Sequence, residues 1–326
     1  MRTLLRRLGG AVLLLWLVVS LTFLLLHAAP GDAAALLVPP SATAADAARL
    51  RAELRLDRPL AVQYARWMGA VLSGDLGESF ASRRPVSRVL AEALPVSLAL
   101  GVTSLALTFV IGVAVGMVQA ARRGRATDTA LTVLSTALYA APSFWLALAL
   151  VAVFTYGATT WGFPAWLRLP AFGVRQPAAQ LAGWDALVDL VRHAVLPVTV
   201  LAAVGAAGIA RYSRSTVADL LATDWTRTAR AKGLSAWRVY SRHVLRNALP
   251  PLVVLLALAL PGVVAGSVFV ESVFAWPGMG RAMLTAIAAR DFPVVMGATL
   301  LYATLVIGAN LAADLVVPLV DPRRAE

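Results

Sequence analysis

Six apolar runs, each long enough to cross a lipid bilayer as a helix, constrain this chain more than any other feature. They lie at about residues 8–27, 96–120, 129–156, 190–210, 249–270 and 294–317. A bilayer core about 30 Å thick needs roughly 20 helical residues to span it. Lipid offers the backbone no hydrogen bonds, and a helix satisfies its own backbone groups. The sequence therefore predicts an all-α integral membrane protein with six transmembrane helices.

Charge and composition exclude several other classes of protein. Only 14% of the residues are charged, whereas about a quarter are charged in a typical soluble domain. The net charge of +12 would also suit nucleic-acid binding, but the basic residues cluster between the apolar runs, so we expect no nucleic-acid partner. The chain has no cysteine, and its three histidines lack the spacing of metal ligands. We expect no metal site and no cofactor.

The arginines also predict the orientation in the membrane. Basic groups occur at Arg2–Arg7, at Arg122–Arg125, at eight positions between Arg211 and Arg246, and at Arg323 and Arg324. With six spans, all four groups fall on the same side of the bilayer. Positively charged loops are retained on the cytoplasmic side. Both termini are therefore predicted to be cytoplasmic, and the basic loops are expected to contact membrane lipid.

The segment 31–95 precedes the second span and is predicted to lie outside. Thr43 and Asp46 have the spacing of a capping box for a helix around residues 44–54. Asp57 and Pro59 mark the start of a second helix, which carries an apolar stripe and ends at Ser73-Gly74-Asp75. The stripe is formed by Tyr64, Trp67, Met68, Val71 and Leu72. These helices either cap the ends of the spans or form a docking face for a soluble partner.

The sequence contains no motif that would couple transport to an energy source. The span interiors hold no Asp, Glu, Lys or Arg, although ion-coupled carriers usually need such a residue within the membrane. Lys232 is the only lysine, and it is not preceded by glycine, so a Walker A loop is absent. No hydrolase or metalloprotease motif is present. The chain is therefore predicted to be a conduit rather than an enzyme, with a stand-alone channel or secondary carrier, or an adaptor for a soluble enzyme, as the alternatives.

The basic segment between the fourth and fifth runs has a defined helical pattern. The fourth span is predicted to continue past the membrane, and Asp224 is the expected N-cap of a short helix over residues 225–232. Gly233 suits a left-handed position after this helix, and Ser235 can cap the next one. The small residues Thr228, Ala229 and Ala231 permit close approach by another surface. The segment either lies on anionic lipid or binds a protein partner.

At these residues the chain resembles the inner-membrane permeases of binding-protein-dependent ABC importers, in the first permease type of the dipeptide/oligopeptide/nickel branch. The motif at Arg227–Leu234 resembles the coupling loop of that branch, although Arg227 and Thr228 replace the Glu and first Ala of the wider superfamily. Further matches lie at residues 30–32, 56–60, 63–64, 74–77, 271–274, 277–280, 290–293 and 321–323. The resemblance therefore spans nearly the whole chain.

The resemblance implies the fold of a type I importer permease and a set of partners. These are a second permease subunit in a heterodimer, two cytoplasmic ATP-binding subunits, and a periplasmic or lipid-anchored solute-binding protein. The implied location is the bacterial inner membrane. The implied ATPase-coupling residues are Arg227, Thr228, Ala229, Arg230, Ala231, Lys232, Gly233 and Leu234. The implied cargo is a peptide or a related small solute, and the sequence does not specify which.

A second implied site lies after the fifth span. Glu271, Trp276, Pro277, Gly278, Met279 and Gly280 are expected at a periplasmic gate or at a contact with the binding protein, with a simple tight turn as the alternative.

The domain organisation predicted from these features has four parts. Residues 1–30 are an N-terminal transmembrane helix, since their apolar run is longer than a signal-peptide core. Residues 31–95 are a periplasmic segment with short helices, residues 96–320 a five-helix core with the coupling loop at 211–248, and residues 321–326 a cytoplasmic tail.

Overall fold

A computed structural model describes residues 2–28, 43–53, 56–176, 181–265 and 268–320. These residues contain six helices that are long and apolar enough to cross a membrane, which confirms the predicted number. They are Gly9–Ala28, Val86–Ala121, Ser143–Thr160, Gly183–Leu221, Ala236–Val263 and Phe292–Ala313. The motifs at residues 30–32 and 321–323 and the predicted tail lie outside the described residues.

The described residues form twelve helices in chain order, besides a short 3-10 helix at Ala165–Leu167. The first half contains α1 (Arg2–Ala28), α2 (Ala44–Glu53), α3 (Leu60–Leu72), α4 (Val86–Ala121), α5 (Ala126–Ala140) and α6, which comprises Ser143–Val151, the π-helical segment Ala152–Gly157 and Ala158–Thr160. The second half contains α7 (Gly183–Leu221), α8 (Asp224–Ala231), α9 (Ala236–Ala265), α10 (Val268–Val273), α11 (Met279–Ala288) and α12 (Phe292–Val320). α9 comprises Ala236–Arg238, the π-helical segment Val239–Val244 and Leu245–Ala265.

Two helices are much longer than the bilayer is thick. α4 has 36 residues and α7 has 39, which at 1.5 Å per residue corresponds to about 54 and 58 Å. A hydrocarbon core of about 30 Å covers only part of either helix. The helix of the fourth span continues past residue 210 to Leu221, as the sequence predicted.

The third apolar run is not one helix, and this part of the prediction was wrong. α5 ends at Ala140, and Ala141 has an extended backbone with φ −71° and ψ 129°. Pro142 then stands at the N-cap of α6. The ring of a proline disfavours the α conformation for the residue before it, so the helix ends there. The apolar run hides this break because hydropathy remains high on both sides.

The chain divides into two compact units. One unit contains Met1–Ser97 and Pro277–Ile307, and the other contains Leu98–Trp276 and Gly308–Glu326. Both α4 and α12 contribute residues to the two units, because the divisions after Ser97 and Ile307 fall within these helices.

In the first unit, α3 packs against α1 through aromatic side chains. The Phe23 ring meets the Tyr64 ring edge-on at 5.2 Å between centroids, and the Tyr64 hydroxyl is 2.6 Å from the Ser20 hydroxyl. The predicted capping box at α2 is confirmed, since the Asp46 N–H donates to the Thr43 Oγ1 and the Thr43 N–H donates to the Asp46 Oδ2. Two stripe residues, Tyr64 and Trp67, thus lie against α1 as a cap, whereas Leu72 is 82% exposed.

In the second unit, α4 and α7 approach each other closely at small residues. A Cβ on Gly112 would lie 2.6 Å from the Ile209 Cβ, and a Cβ on Gly116 would lie 2.5 Å from the Ser213 Cβ. Residues four apart occupy one face of a helix, so these two glycines form a single flat strip. Small residues at such spacing let transmembrane helices pack backbone to backbone.

We expect Gly116→Ala to destabilise the protein by about 1–3 kcal/mol, because the added methyl group overpacks the contact with α7. The matched control is Gly208→Ala on α7, where a Cβ would meet nothing within 4 Å. That control should be neutral or stabilising by about 0.5–1 kcal/mol, since alanine favours the helix. Thermal unfolding in detergent, followed by tryptophan fluorescence, measures both variants. Equal melting temperatures for the two would contradict the proposed close contact.

Candidate coupling site

The short helix α8 has one face buried in its own chain and the other exposed. Thr226 and Ala229 are 0% and 7% exposed, and their spacing of three places them on the same side. The residues between and beyond them are exposed: Arg227, Thr228, Arg230, Ala231 and Lys232. α8 is therefore attached to the protein along one stripe and presents the other for contact.

The N-terminus of α8 differs from the prediction by one residue. The expected N-cap Asp224 is the first helical residue, and Thr223 occupies the cap with φ −73° and ψ 154°. No side chain bonds the free backbone N–H groups there. Instead, the hydroxyls of Thr223 and Thr226 both donate to the Leu220 carbonyl, at 2.6 and 2.8 Å. These two bonds tie α8 to the last turn of α7.

The C-terminus of α8 has the predicted glycine turn. Gly233 has a φ of +76°, and the N–H groups of Gly233 and Leu234 donate to the carbonyls of Arg230 and Ala229 at 2.9 and 3.3 Å. This pair of bonds is a Schellman motif. Leu234 also packs against the hydrophobic cluster that contains Ala229. The motif ends α8 sharply and turns the chain toward Ser235, the N-cap residue of α9.

A single hydrophobic cluster holds the inner face of α8. It contains residues from the ends of α4 and α7, from α8 and from the start of α9: Ala120, Val217, Ala229, Val239, Val244, Ala248 and Leu252. Val239 and Val244 are five residues apart, a spacing that separates side chains on an α-helix. The π-helical segment between them restores the alignment, since its bonds span five residues. α9 can therefore bury both valines on one side.

The predicted coupling residues differ in their exposure. Ala229 was expected on a face of small residues available to a partner, but its side chain packs inside the cluster. Thr228 and Ala231 are exposed as expected. Arg227 and Asp224 are both exposed, and the Arg227 Nη1 lies 3.5 Å from the Asp224 Oδ1. An ion pair in such a position contributes little, so Arg227 stays available to another carboxylate.

A half-buried ion pair near this site was not predicted from the sequence. The Arg214 guanidinium of α7 donates two bonds of 2.8 Å to the two carboxylate oxygens of Asp128 at the start of α5. The Gly124 N–H adds a third bond of 3.0 Å. The hydrogen bond from Arg214, followed by that from Gly124, lowers the pKa of Asp128 to about 2. Asp128 is thus ionised at neutral pH.

Most residues of the second predicted site are buried. The site has residues in both units. In the unit of Leu98–Trp276, Glu271 and Trp276 are 0% and 3% exposed, and the Trp276 N–H donates to the Glu271 carbonyl at 2.7 Å. In the other unit, the Met279 side chain is fully buried and its N–H donates to the Ser97 hydroxyl at 2.8 Å. Gly278 and Gly280 are buried, and Pro277 is exposed. In this conformation, Met279 offers no surface to a partner.

Comparison with known proteins gives concordant results over nearly the whole chain. Residues 112–326 match the family described as binding-protein-dependent transport system inner membrane component, and residues 1–101 match the family for the N-terminal part of such components. A putative peptide permease protein of Brucella ovis is 39% identical over 321 residues, which cover 98% of this chain and 97% of the relative. The oligopeptide transport system permease protein AppB of Bacillus subtilis is 36% identical over 304 residues, covering 93% and 92%.

A solved structure also shares the fold. The MetNI methionine ABC transporter in its inward-facing conformation matches with a TM-score of 0.50 and 20% identity, covering 72% of this chain and 97% of that chain. The likeness confirms the predicted fold of a type I importer permease.

We expect Gly233→Val to loosen the end of α8, because a β-branched residue at positive φ is strained by about 1–2 kcal/mol. Gly233→Asn is the matched control, since asparagine tolerates this backbone conformation. Hydrogen exchange of the amides of Gly233 (or its replacement) and Leu234 should be roughly 5–30-fold faster in the valine variant. Equal exchange in the two variants would contradict the proposed role of the glycine turn.

Proposed function

We infer the function of this chain from the premise that it belongs to the family of inner membrane components of binding-protein-dependent transport systems. It is a multi-pass protein of the bacterial inner membrane and a permease subunit of an ATP-binding-cassette importer. It forms half of a translocation pathway for peptides or related small solutes. Separate subunits hydrolyse the ATP that drives transport.

The exposed face of α8 is the observation that carries this proposal. Arg227, Arg230 and Lys232 project from a short helix whose other face is fixed to the ends of α4 and α7. Cationic side chains on a well-fixed helix suit a cleft with carboxylates on a partner protein. Motion of that partner would reach the spans directly, because α8 shares its packing cluster with both long helices. We therefore assign α8 as the coupling helix for an ATP-binding subunit.

The proposed complex contains several partners. A second permease subunit completes the pathway in a heterodimer, each permease receives one of two cytoplasmic ATP-binding subunits, and a periplasmic or lipid-anchored protein delivers the solute. The many exposed apolar side chains of the spans, such as Val110 on α4 and Trp145 on α6, suit contact with lipid and with the second permease. ATP-driven closure would then shift the pathway between its inward- and outward-facing states.

The family disfavours a stand-alone channel or secondary carrier. A carrier with its own energy source needs no helix that presents cations to a partner, and the family members act as components of larger transport systems. Lys232, the only lysine, lies next to Gly233 at the end of α8 rather than in a phosphate-binding loop. ATP hydrolysis is therefore assigned to the partner subunits.

Peptide transport is proposed because curated relatives that cover nearly the whole chain are named as peptide and oligopeptide permeases. For Glu271 and the turn through Gly280, burial supports a place in the packed external end of the pathway more than a direct contact. Pro277 is the residue of this group with an exposed side chain.

Reversing two charges on α8 tests the coupling role. We expect R227E/R230E to abolish solute-stimulated ATP hydrolysis in the reconstituted transporter and to prevent co-purification of the ATP-binding subunits. The reason is repulsion between the new glutamates and the carboxylates of the partner cleft. ATPase assays and pull-down from detergent measure the two effects.

The control for this experiment is R58E/R88E, which changes the net charge equally at exposed positions before α3 and at the start of α4. The control should leave co-purification unchanged. Full stimulation and normal assembly in R227E/R230E would refute the assignment of α8.

The proposed orientation has a separate test that uses the absence of cysteine from the chain. We expect R123C, in the turn after α4, to react with an impermeant thiol reagent only in inverted membrane vesicles. L72C, at the 82% exposed end of α3, should react only from the outside. Labelling of both from one side would overturn the proposed topology.

A further inference from the structure

We propose that the turn between α4 and α5, residues 122–125, is a second docking surface for the ATP-binding subunit that receives α8. It would recognise an acidic patch on that subunit beside the cleft for α8. We call these residues the arginine turn. This inference rests on the proposed function, because it presupposes that α8 meets such a subunit.

Charge and exposure are the first support for this surface. Arg122, Arg123 and Arg125 are all exposed. Within the described part of the chain, the Arg123 and Arg125 guanidiniums have no acidic partner, and Arg122 donates one bond of 3.3 Å to the Thr127 hydroxyl. Guanidinium groups bind carboxylates through paired hydrogen bonds. The turn therefore offers three cationic groups that have no carboxylate partner among the described residues of the chain.

The shape of the arginine turn is fixed from within the protein. Gly124 has a φ of +78°, and the Arg125 N–H donates to the Arg122 carbonyl at 2.9 Å. The Asp128 carboxylate accepts the Gly124 N–H and is held by both bonds from Arg214. The Asp128 carboxylate is thus occupied in holding the backbone of the turn, and its hydrogen bonds come from Gly124 and Arg214.

The position of the turn places it beside α8. Ala120, two residues before the turn, belongs to the same buried cluster as Ala229 of α8. α7 supports both features, since Arg214 holds Asp128 and Val217, nearly one helical turn later, packs into the cluster. A protein that binds the exposed face of α8 therefore comes within reach of the arginine turn.

A protein partner fits this geometry better than lipid does. Lipid phosphates attract any exposed arginine near the membrane and require no fixed backbone. A held turn beside a held helix instead presents two cationic patches in a constant relation, and this suits a partner with a rigid surface. Lipid contact is kept as an outcome of the experiment.

The test uses the complete transporter in lipid nanodiscs of neutral or anionic composition. We expect R122E/R123E/R125E to raise the dissociation constant for the ATP-binding subunits by roughly tenfold or more, because three attractive charges become repulsive. D128N keeps the arginines but weakens the hold on the turn, so it should shift the constant in the same direction by less. R58E/R66E/R88E is the matched control, with an equal charge change at exposed sites before α3, on α3 and at the start of α4, and it should leave the constant unchanged.

A crosslink gives a direct second measurement. R123C carries the sole thiol of the chain, so a photoreactive maleimide attached there should crosslink to an ATP-binding subunit on illumination. L72C, treated in the same way, should give no such product.

Several results would overturn the inference. These are an unchanged dissociation constant in R122E/R123E/R125E, the absence of the crosslink, or a loss of affinity that occurs only with anionic lipid, which would assign the turn to the membrane. R227E/R230E is measured in parallel, so that the two proposals fail separately. If R227E/R230E loses coupling while R122E/R123E/R125E has no effect, only the second surface is refuted. Normal coupling in R227E/R230E would refute the assignment of α8.

Discussion

The close contact between α4 and α7 is the interaction on which the proposed site depends. Lipid supplies no hydrophobic drive between spans, so helices associate through close packing. Gly112 and Gly116 leave no room for a side chain against α7. The same two helices continue beyond this contact, and their ends contribute Ala120 and Val217 to the cluster that holds α8. The helix contact at these glycines and the seat of the proposed docking helix α8 are therefore built from the same two helices.

The charged side chains near α8 are either paired within the protein or exposed on its surface. Asp128 and Arg214 satisfy each other and hold the turn after α4. The cations on α8 and in the arginine turn remain exposed, and the nearest acid on α8, Asp224, forms only a weak surface pair. The inner face of the hairpin uses small and apolar residues instead. A strongly cationic segment can therefore be packed firmly along one face while its cations stay exposed on the other.

The unit that contains α2 and α3 is held together by other interactions. Its cohesion comes from aromatic contacts such as Phe23 with Tyr64 and from the buried Met279. Asp291 is also buried there and accepts hydrogen bonds from the Phe80 and Ala81 N–H groups and the Ser79 hydroxyl. Of the six residues predicted around Met279 as a gate or contact site, five are buried and Pro277 is exposed. Their role at a gate or at a contact with the binding protein stays a prediction.

The sequence by itself determined the number of spans, the extension of α7, the capping box of α2 and the turn at Gly233, because hydropathy and backbone conformation are local properties. A local signal was also present at Pro142, but continuous hydropathy masked it. Only the tertiary structure decided that Ala229 faces inward and that Asp128 pairs with Arg214, 86 residues away. Helical periodicity assigns residues to a face of their own helix, whereas the neighbour that covers this face is determined by packing between helices distant in sequence.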